Sequence, residues 1–155
     1  MDYLPLFHNL KGRNILVIGG GEIALRKVRL VQEASAIITI VAKDFCPDLL
    51  EMDARDKEHG CNGLILITAG YEHKHMLDLP NIVMVIAATN DRDLNRLVSE
   101  HAQAANILSN VVDDPKFSTV IFPSIVDRSP IQIAISSGGD APVLVRLLRT
   151  RFEAL

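Results

Sequence analysis

Short apolar runs and longer polar stretches alternate along the chain. Runs rich in Val and Ile lie at 14–18, 37–41, 64–67, 82–87 and 107–111. They are brief and mostly apolar, as expected of strands buried on both faces. Residues 22–34 carry Ile23, Leu25, Val28, Leu30 and Val31 at roughly helical spacing. Residues 91–106 place Leu94, Leu97, Val98 and Ala102 on one helical face behind Asp91, a suitable N-cap. The stretch AGYEHKHMLDLP (69–80) is short and ends at a proline, which predicts one or two turns or a loop. Strand–helix alternation predicts an α/β, Rossmann-like doubly wound parallel sheet.

The pattern changes after residue 112. Two β-type runs, 119–126 and 131–136, flank Asp127-Arg128-Ser129-Pro130 and predict a hairpin. Ser-Ser-Gly-Gly-Asp (136–140) then leads into a helix over 141–152, with Asp140 as cap and Pro142 tolerated in the first turn. Two strands and one helix bury little by themselves. The expected organisation is therefore a nucleotide-binding domain at 1–112 and a small β-hairpin-plus-helix dimerisation region at 113–155. The alternative is a hairpin that folds back on its own sheet. RTRFEAL carries no terminating signal, which leaves a longer parent protein and a naturally short chain both open.

Composition narrows the partners. The chain has 155 residues, 48% hydrophobic, with a formal net charge of -3, which argues against non-specific nucleic-acid binding. No run approaches the roughly 18 apolar residues of a spanning helix, and MDYLPLFHNLKGR does not read as a signal peptide. Cys46 and Cys61 form no CxxC pair, so a reducing cytoplasm fits best. His73-Lys74-His75 reads as polar surface; His8, His59 and His101 read as isolated, and no metal cluster is expected.

The candidate chemistry begins after the first strand. Gly19-x-Gly21-x-x-Ala24 has the glycine spacing of a dinucleotide turn. The first glycine permits the turn, the second lets backbone approach a pyrophosphate, and the small third residue lets helix pack on strand. A glycine turn serving packing alone is the bland alternative. An acidic ribose-binding residue belongs at the end of the second strand, but Ala42 stands there. Asp44 is close enough to substitute, while Lys43 suits a 2′-phosphate, so NAD and NADP both stay open. Ala88 and Thr89, in AATN (87–90), suit a nucleotide lying across the strand ends. They suit an ordinary turn capped by Asn90 or Asp91 equally well. Asp113 follows the fifth strand, where an open parallel sheet faces its ligand crevice, or it makes a turn before Pro115.

Three stretches, LPLFHNLKGRNILVIGGGEIALRK (4–27), IAATND (86–91) and NVVDDPKFSTVIFPSIVDRSPIQIAISSGGDAPVLVRLLR (110–149), resemble the dehydrogenase/chelatase module of siroheme synthase. That module is also found as stand-alone precorrin-2 dehydrogenase. The resemblance implies an oxidoreductase of siroheme (porphyrin) biosynthesis that oxidises precorrin-2 to sirohydrochlorin with NAD. In some members a ferrochelatase (lyase) activity also inserts Fe2+. It places NAD contacts on Glu22, Ile23, Lys43 and Asp44, the essential aspartate on Asp113, and a phosphorylatable serine on Ser137. It also implies a homodimer. Residues 50–80 are less similar and longer than in the family. Set against longer members, the 155 residues hold no counterpart of the uroporphyrinogen methyltransferase domain or of the helical region that follows the dimerisation strands, so the resemblance leads to the expectation of an incomplete enzyme.

The expected chemistry is hydride transfer from the tetrapyrrole to nicotinamide C4, with Asp113 as base. If iron is inserted, two pyrrole protons must also leave. The substrate bears carboxylates, so a basic rim from Arg26, Lys27, Arg29, Lys116, Arg128, Arg146 and Arg149 is a candidate, with Arg26 and Lys27 foremost. Asn110 and Ser137 are further substrate-binding candidates, Ser137 through its turn at a helix N-terminus. The competing reading is a non-catalytic NAD(H)-binding regulatory module that acts on a partner.

Overall fold

The computed structural model describes residues 2–61 and 63–154. Two compact units emerge: Phe7–Thr119, and a second made of the residues up to Leu6 with those from Val120 onward. In the first, β1 (Asn14–Ile18), β2 (Ile37–Ala42), β3 (Leu64–Thr68), β4 (Ile82–Ala87) and β5 (Leu108–Val111) form one sheet in the order β3-β2-β1-β4-β5. Every pairing is parallel. The expected α/β architecture is borne out, with strand ends within one residue of those read from the apolar runs.

Period-two alternation explains why both faces need cover. Leu16 and Ile18 of β1, Val41 of β2, and Val85 and Ala87 of β4 face one way. They share a core with Val98 and Ala102 of α4 (Arg92–Ala104) and with Met76 of the single-turn α3 (Lys74–Leu77). The alternate residues Ile15, Val17, Ile38 and Ile40 are fully buried on the other face. There α1 (Glu22–Glu33) supplies Ala24, Leu25, Val28 and Val31. A helix not singled out in the sequence, α2 (Pro47–Glu58), contributes only Leu49 to the buried set. One apolar anchor in twelve residues leaves almost no periodic signal.

The histidines require a correction. His101 is not isolated: its Nδ1 lies 3.0 Å from the Tyr71 hydroxyl, and its ring stacks on His73 at 4.0 Å. Burial, with His73 alongside, lowers the pKa of His101, and burial pushes the Tyr71 phenol up to about 12. Among the described residues no group of His, Cys, Asp and Glu is arranged to hold a metal ion.

In the second unit, β6 (Ser124–Arg128) and β7 (Ile131–Ile135) form an antiparallel hairpin, and α5 (Pro142–Glu153) packs on both strands. The strand expected at 119–126 starts only at Ser124. Pro123 lacks an N–H for a ladder, and the Thr119 N–H already donates to Ser109 O at 2.8 Å. Arg128 pairs with Ile131, so the turn is Ser129-Pro130 alone. The expected Asp140 cap is also corrected. Ala141 holds the cap position with no side-chain cap, and Ser137 Oγ accepts the Ala141 N–H at 3.0 Å. Gly138 and Gly139, at φ +69° and +106°, carry the chain round that serine.

Candidate active site

The turn between β1 and α1 is built from close backbone approach. Gly19 sits at φ +121°, and a Cβ there would lie 2.3 Å from the Ala88 carbonyl oxygen. Gly20 is equally confined: a Cβ would lie 2.1 Å from the Asp44 carbonyl oxygen, and Gly20 O accepts the Cys46 N–H at 2.7 Å. The sequence pattern gave Gly20 no part, because its constraint comes from the end of β2, more than twenty residues away. Gly21 differs. It is the N-cap of α1, no side chain caps the helix, and a Cβ on Gly21 would meet nothing within 4 Å. Free N–H groups beside open space at a helix start suit a pyrophosphate. Glu22 and Ile23 are exposed in the first turn, while Ala24 is fully buried where helix meets strand.

Neighbouring strand ends complete a cavity of about 410 Å³. Ile23 of α1 lines it, as do Ala88, Thr89, Arg92 and Asn95 from the β4–α4 region and the segment from Val111 to Phe117. Asp113 and Lys116, both singled out from the sequence, therefore open on the same cavity as Ile23. Asp113 adopts φ +59°, a left-handed conformation that aspartate tolerates better than most residues. Asn95 carries no sequence signal. It is buried, and its Oδ1 accepts the Thr89 N–H at 3.2 Å and the Thr89 hydroxyl at 2.7 Å. Its Nδ2 donates to Thr89 O at 2.9 Å. Asp91 caps α4 as expected, accepting the Leu94 N–H at 3.0 Å.

The basic candidates separate. Lys27 is half-buried one turn beyond Ile23; burial lowers its pKa, and the Asp113 carboxylate partly offsets that. Arg26 is exposed. Arg29 pairs with Asp48 at 2.8 Å and Arg149 with Glu153 at 2.7 Å, both on the surface. Asn110 is buried in β5. Lys43 and Asp44 are exposed past the end of β2 and do not line the cavity. Ser137, Arg128 and Arg146 belong to the second unit.

A family model described as "Putative NAD(P)-binding" matches residues 6–124. The chain belongs to that NAD(P)-binding family. A second model, "Sirohaem biosynthesis protein central", matches residues 128–155. Siroheme synthase of Stutzerimonas stutzeri (strain A1501) is 52% identical over 153 residues, covering 99% of this chain and 31% of that protein. Siroheme synthase of Tolumonas auensis (strain DSM 9187 / NBRC 110442 / TA 4) is 51% identical over 155 residues, covering 100% of this chain and 31% of its own length. The chain thus spans about a third of these relatives. Among solved structures, SirC, precorrin-2 dehydrogenase, matches with a TM-score of 0.77 and 26% identity, covering 98% of this chain and 70% of that one. The resemblance read from the three sequence stretches is borne out. In this NAD(P)-binding chain the glycine turn lies where a dinucleotide fold requires it.

Proposed function

We propose that the chain binds NAD and oxidises precorrin-2 to sirohydrochlorin in siroheme biosynthesis. One observation carries the reading: Asp113 and Ile23 line a single cavity, so a carboxylate stands across from the helix that opens at the glycine turn. The names of its relatives supply the substrate class. NAD+, when bound, accepts a hydride at nicotinamide C4. The chain's own residues do the rest. The α1 N-terminus beside Gly21 holds the pyrophosphate, with Glu22, Ile23, Ala88 and Thr89 along the dinucleotide and Lys43 and Asp44 toward its ribose. Asp113 takes the proton released as the macrocycle is oxidised. Lys27 and Lys116 face substrate carboxylates, with Arg26 and Asn110 as further contacts, and Ser137 is a separate carboxylate-binding candidate within the second unit.

Two further features belong to this reading. Val143, Leu144 and Leu147 of α5 and Ile131 of β7 are exposed apolar side chains on a two-stranded unit, which supports a homodimer. No helix among the described residues is long and apolar enough to cross a membrane, consistent with a cytoplasmic enzyme. If the chain also chelates, Fe2+ is a substrate alongside sirohydrochlorin and not a resident metal.

The test is precorrin-2 with NAD+, with and without Fe2+, followed by absorbance. NADH and sirohydrochlorin are expected, and siroheme in the iron arm if the chain also chelates. NAD(H) binding with no turnover would favour the regulatory module instead. Asp113→Asn keeps the left-handed preference and removes the base. It should cost about 10²–10⁴-fold in kcat with NAD binding retained; undiminished kcat removes Asp113 from its role.

A further inference from the structure

We propose that Ser118 is a positioning residue whose hydroxyl fixes the loop presenting Asp113 to the cavity; the inference rests on the dehydrogenase reading. Ser118 does not line the cavity, so it acts through the loop. Its Oγ accepts the Val111 N–H at 2.8 Å. Its own hydrogen reaches either Asp114 O at 3.1 Å or Val111 O at 3.2 Å. One hydroxyl thus joins the last residue of β5 to the residue after Asp113, and the intervening chain must arch.

Backbone bonds complete the arch. Asp114 N–H donates to Val111 O at 3.3 Å, and Ser118 N–H donates to Pro115 O at 3.1 Å. Asp113 rides at the crest in its left-handed conformation, which persists only where the surroundings over-determine it. The far end is anchored separately: Ser99 Oγ donates to Phe117 O, and Thr119 Oγ1 accepts the Ser109 N–H at 2.8 Å. β5 is an edge strand, so Val111 and Ser109 have no strand on that side. Ser118 and Thr119 satisfy their N–H groups by side chain instead. The loop therefore hangs from the sheet edge by two hydroxyls and the Thr119 N–H bond to Ser109 O, and the Ser118 hydroxyl is the one that brackets Asp113.

The experiment compares Ser118→Ala and Ser118→Thr with the unaltered whole chain, following precorrin-2 oxidation and amide hydrogen exchange of residues 111–118. Ser118→Ala should lower kcat on the order of 10–100-fold, as expected of a misplaced reacting group, with KM for NAD+ unchanged. Ser118→Thr, which keeps the hydroxyl, should recover most of it. Exchange should rise in Ser118→Ala within 111–118 and nowhere else. Unchanged kcat, or equal loss in kcat and NAD+ affinity, overturns the proposal. If the unaltered chain does not turn over precorrin-2, the dehydrogenase reading fails by itself. Exchange then decides whether Ser118 holds the loop, and no local rise overturns it. Should Ser118→Ala fail to fold, Ser118→Cys carries the same expectation, since its thiol keeps the shape and donates weakly.

Discussion

The β1–α1 and β4–α4 turns lie side by side on neighbouring strands, close enough that a Cβ on Gly19 would strike Ala88. Both start a helix at the same edge of the sheet, yet they treat its N-terminus oppositely. The α4 end is satisfied from within: Asp91 takes the Leu94 N–H, and Asn95 binds the Thr89 N–H, carbonyl and hydroxyl. The α1 end has no side-chain cap, and Gly21 faces open space. Helix dipoles alone do not distinguish the two. The uncapped donors do, and on the proposed reading α1 is the anion site. Four changes of residue break or sharpen that contrast at the turns themselves.

Gly19→Ala should have the largest effect. It places a Cβ 2.3 Å from a carbonyl oxygen at φ +121°, and both strain and overpacking cost about 1–3 kcal/mol or more each. A lowered urea midpoint with lost NAD binding is expected. Gly21→Ala should fold almost normally, at a cost of about 1 kcal/mol or less at an N-cap, while NAD binding weakens. If Gly21→Ala binds NAD as tightly as the unaltered chain, α1 is not the pyrophosphate site.

Those glycines show what was legible in the sequence. Gly19, Gly21 and Ala24 stood at informative spacing because their demands are local. Gly20 was silent because its neighbour is Asp44. The central strands β1 and β4 were legible because burial on both faces made them almost continuously apolar. α2 was not, because only Leu49 is buried. Thr119–Ile121 looked like strand because it is β-branched and apolar, but Thr119 is committed to Ser109 and Pro123 ends any ladder. The catalytic candidate Asp113 was found from its place after β5. The side chains that hold the two neighbouring turns, Asn95 at Thr89 and Ser118 at Val111 and Asp114, were not, since a hydroxyl or amide announces no partner until the chain is folded.

Asn95→Ala ranks second. It removes the Asn95 bonds to the half-buried Thr89 N–H and carbonyl, while the Thr89 hydroxyl keeps Asp91, so the cost is about 1 kcal/mol for each bond lost. Thermal unfolding should shift down, and the β4–α4 turn should exchange faster. A variant as stable as the parent would show that the turn is held by Asp91 alone. Asp91→Ala comes third, at about 1 kcal/mol for a lost N-cap. NAD affinity should stay unchanged, because that helix end is not the one that meets the dinucleotide. A drop in affinity matching that of Gly21→Ala would erase the distinction between the two turns.

The smallest effect links α1 to the Asp113 loop. Burial lowers the Lys27 pKa below 10.5, while Asp113 raises it. Between the lowered native value and 10.5 the unfolded chain therefore binds more protons than the fold, so this lysine makes stability rise with pH across that window. Lys27→Met should flatten the rise. Asp113→Asn should widen it, because the lysine then loses the carboxylate that favours its charge. Tyr71 acts in the opposite sense. Its pKa is pushed from 10.0 up to about 12, so stability falls as pH climbs between those values. Measuring urea midpoints from pH 8 upward in a Tyr71→Phe background isolates the lysine. Identical profiles for Lys27→Met, Asp113→Asn and the parent would mean that α1 and the β5 loop share a cavity without sharing charge. In that case Lys27 would matter to the acidic substrate alone, and Asp113 would owe its placement to the hydrogen bonds of its own loop, those of Ser118 among them.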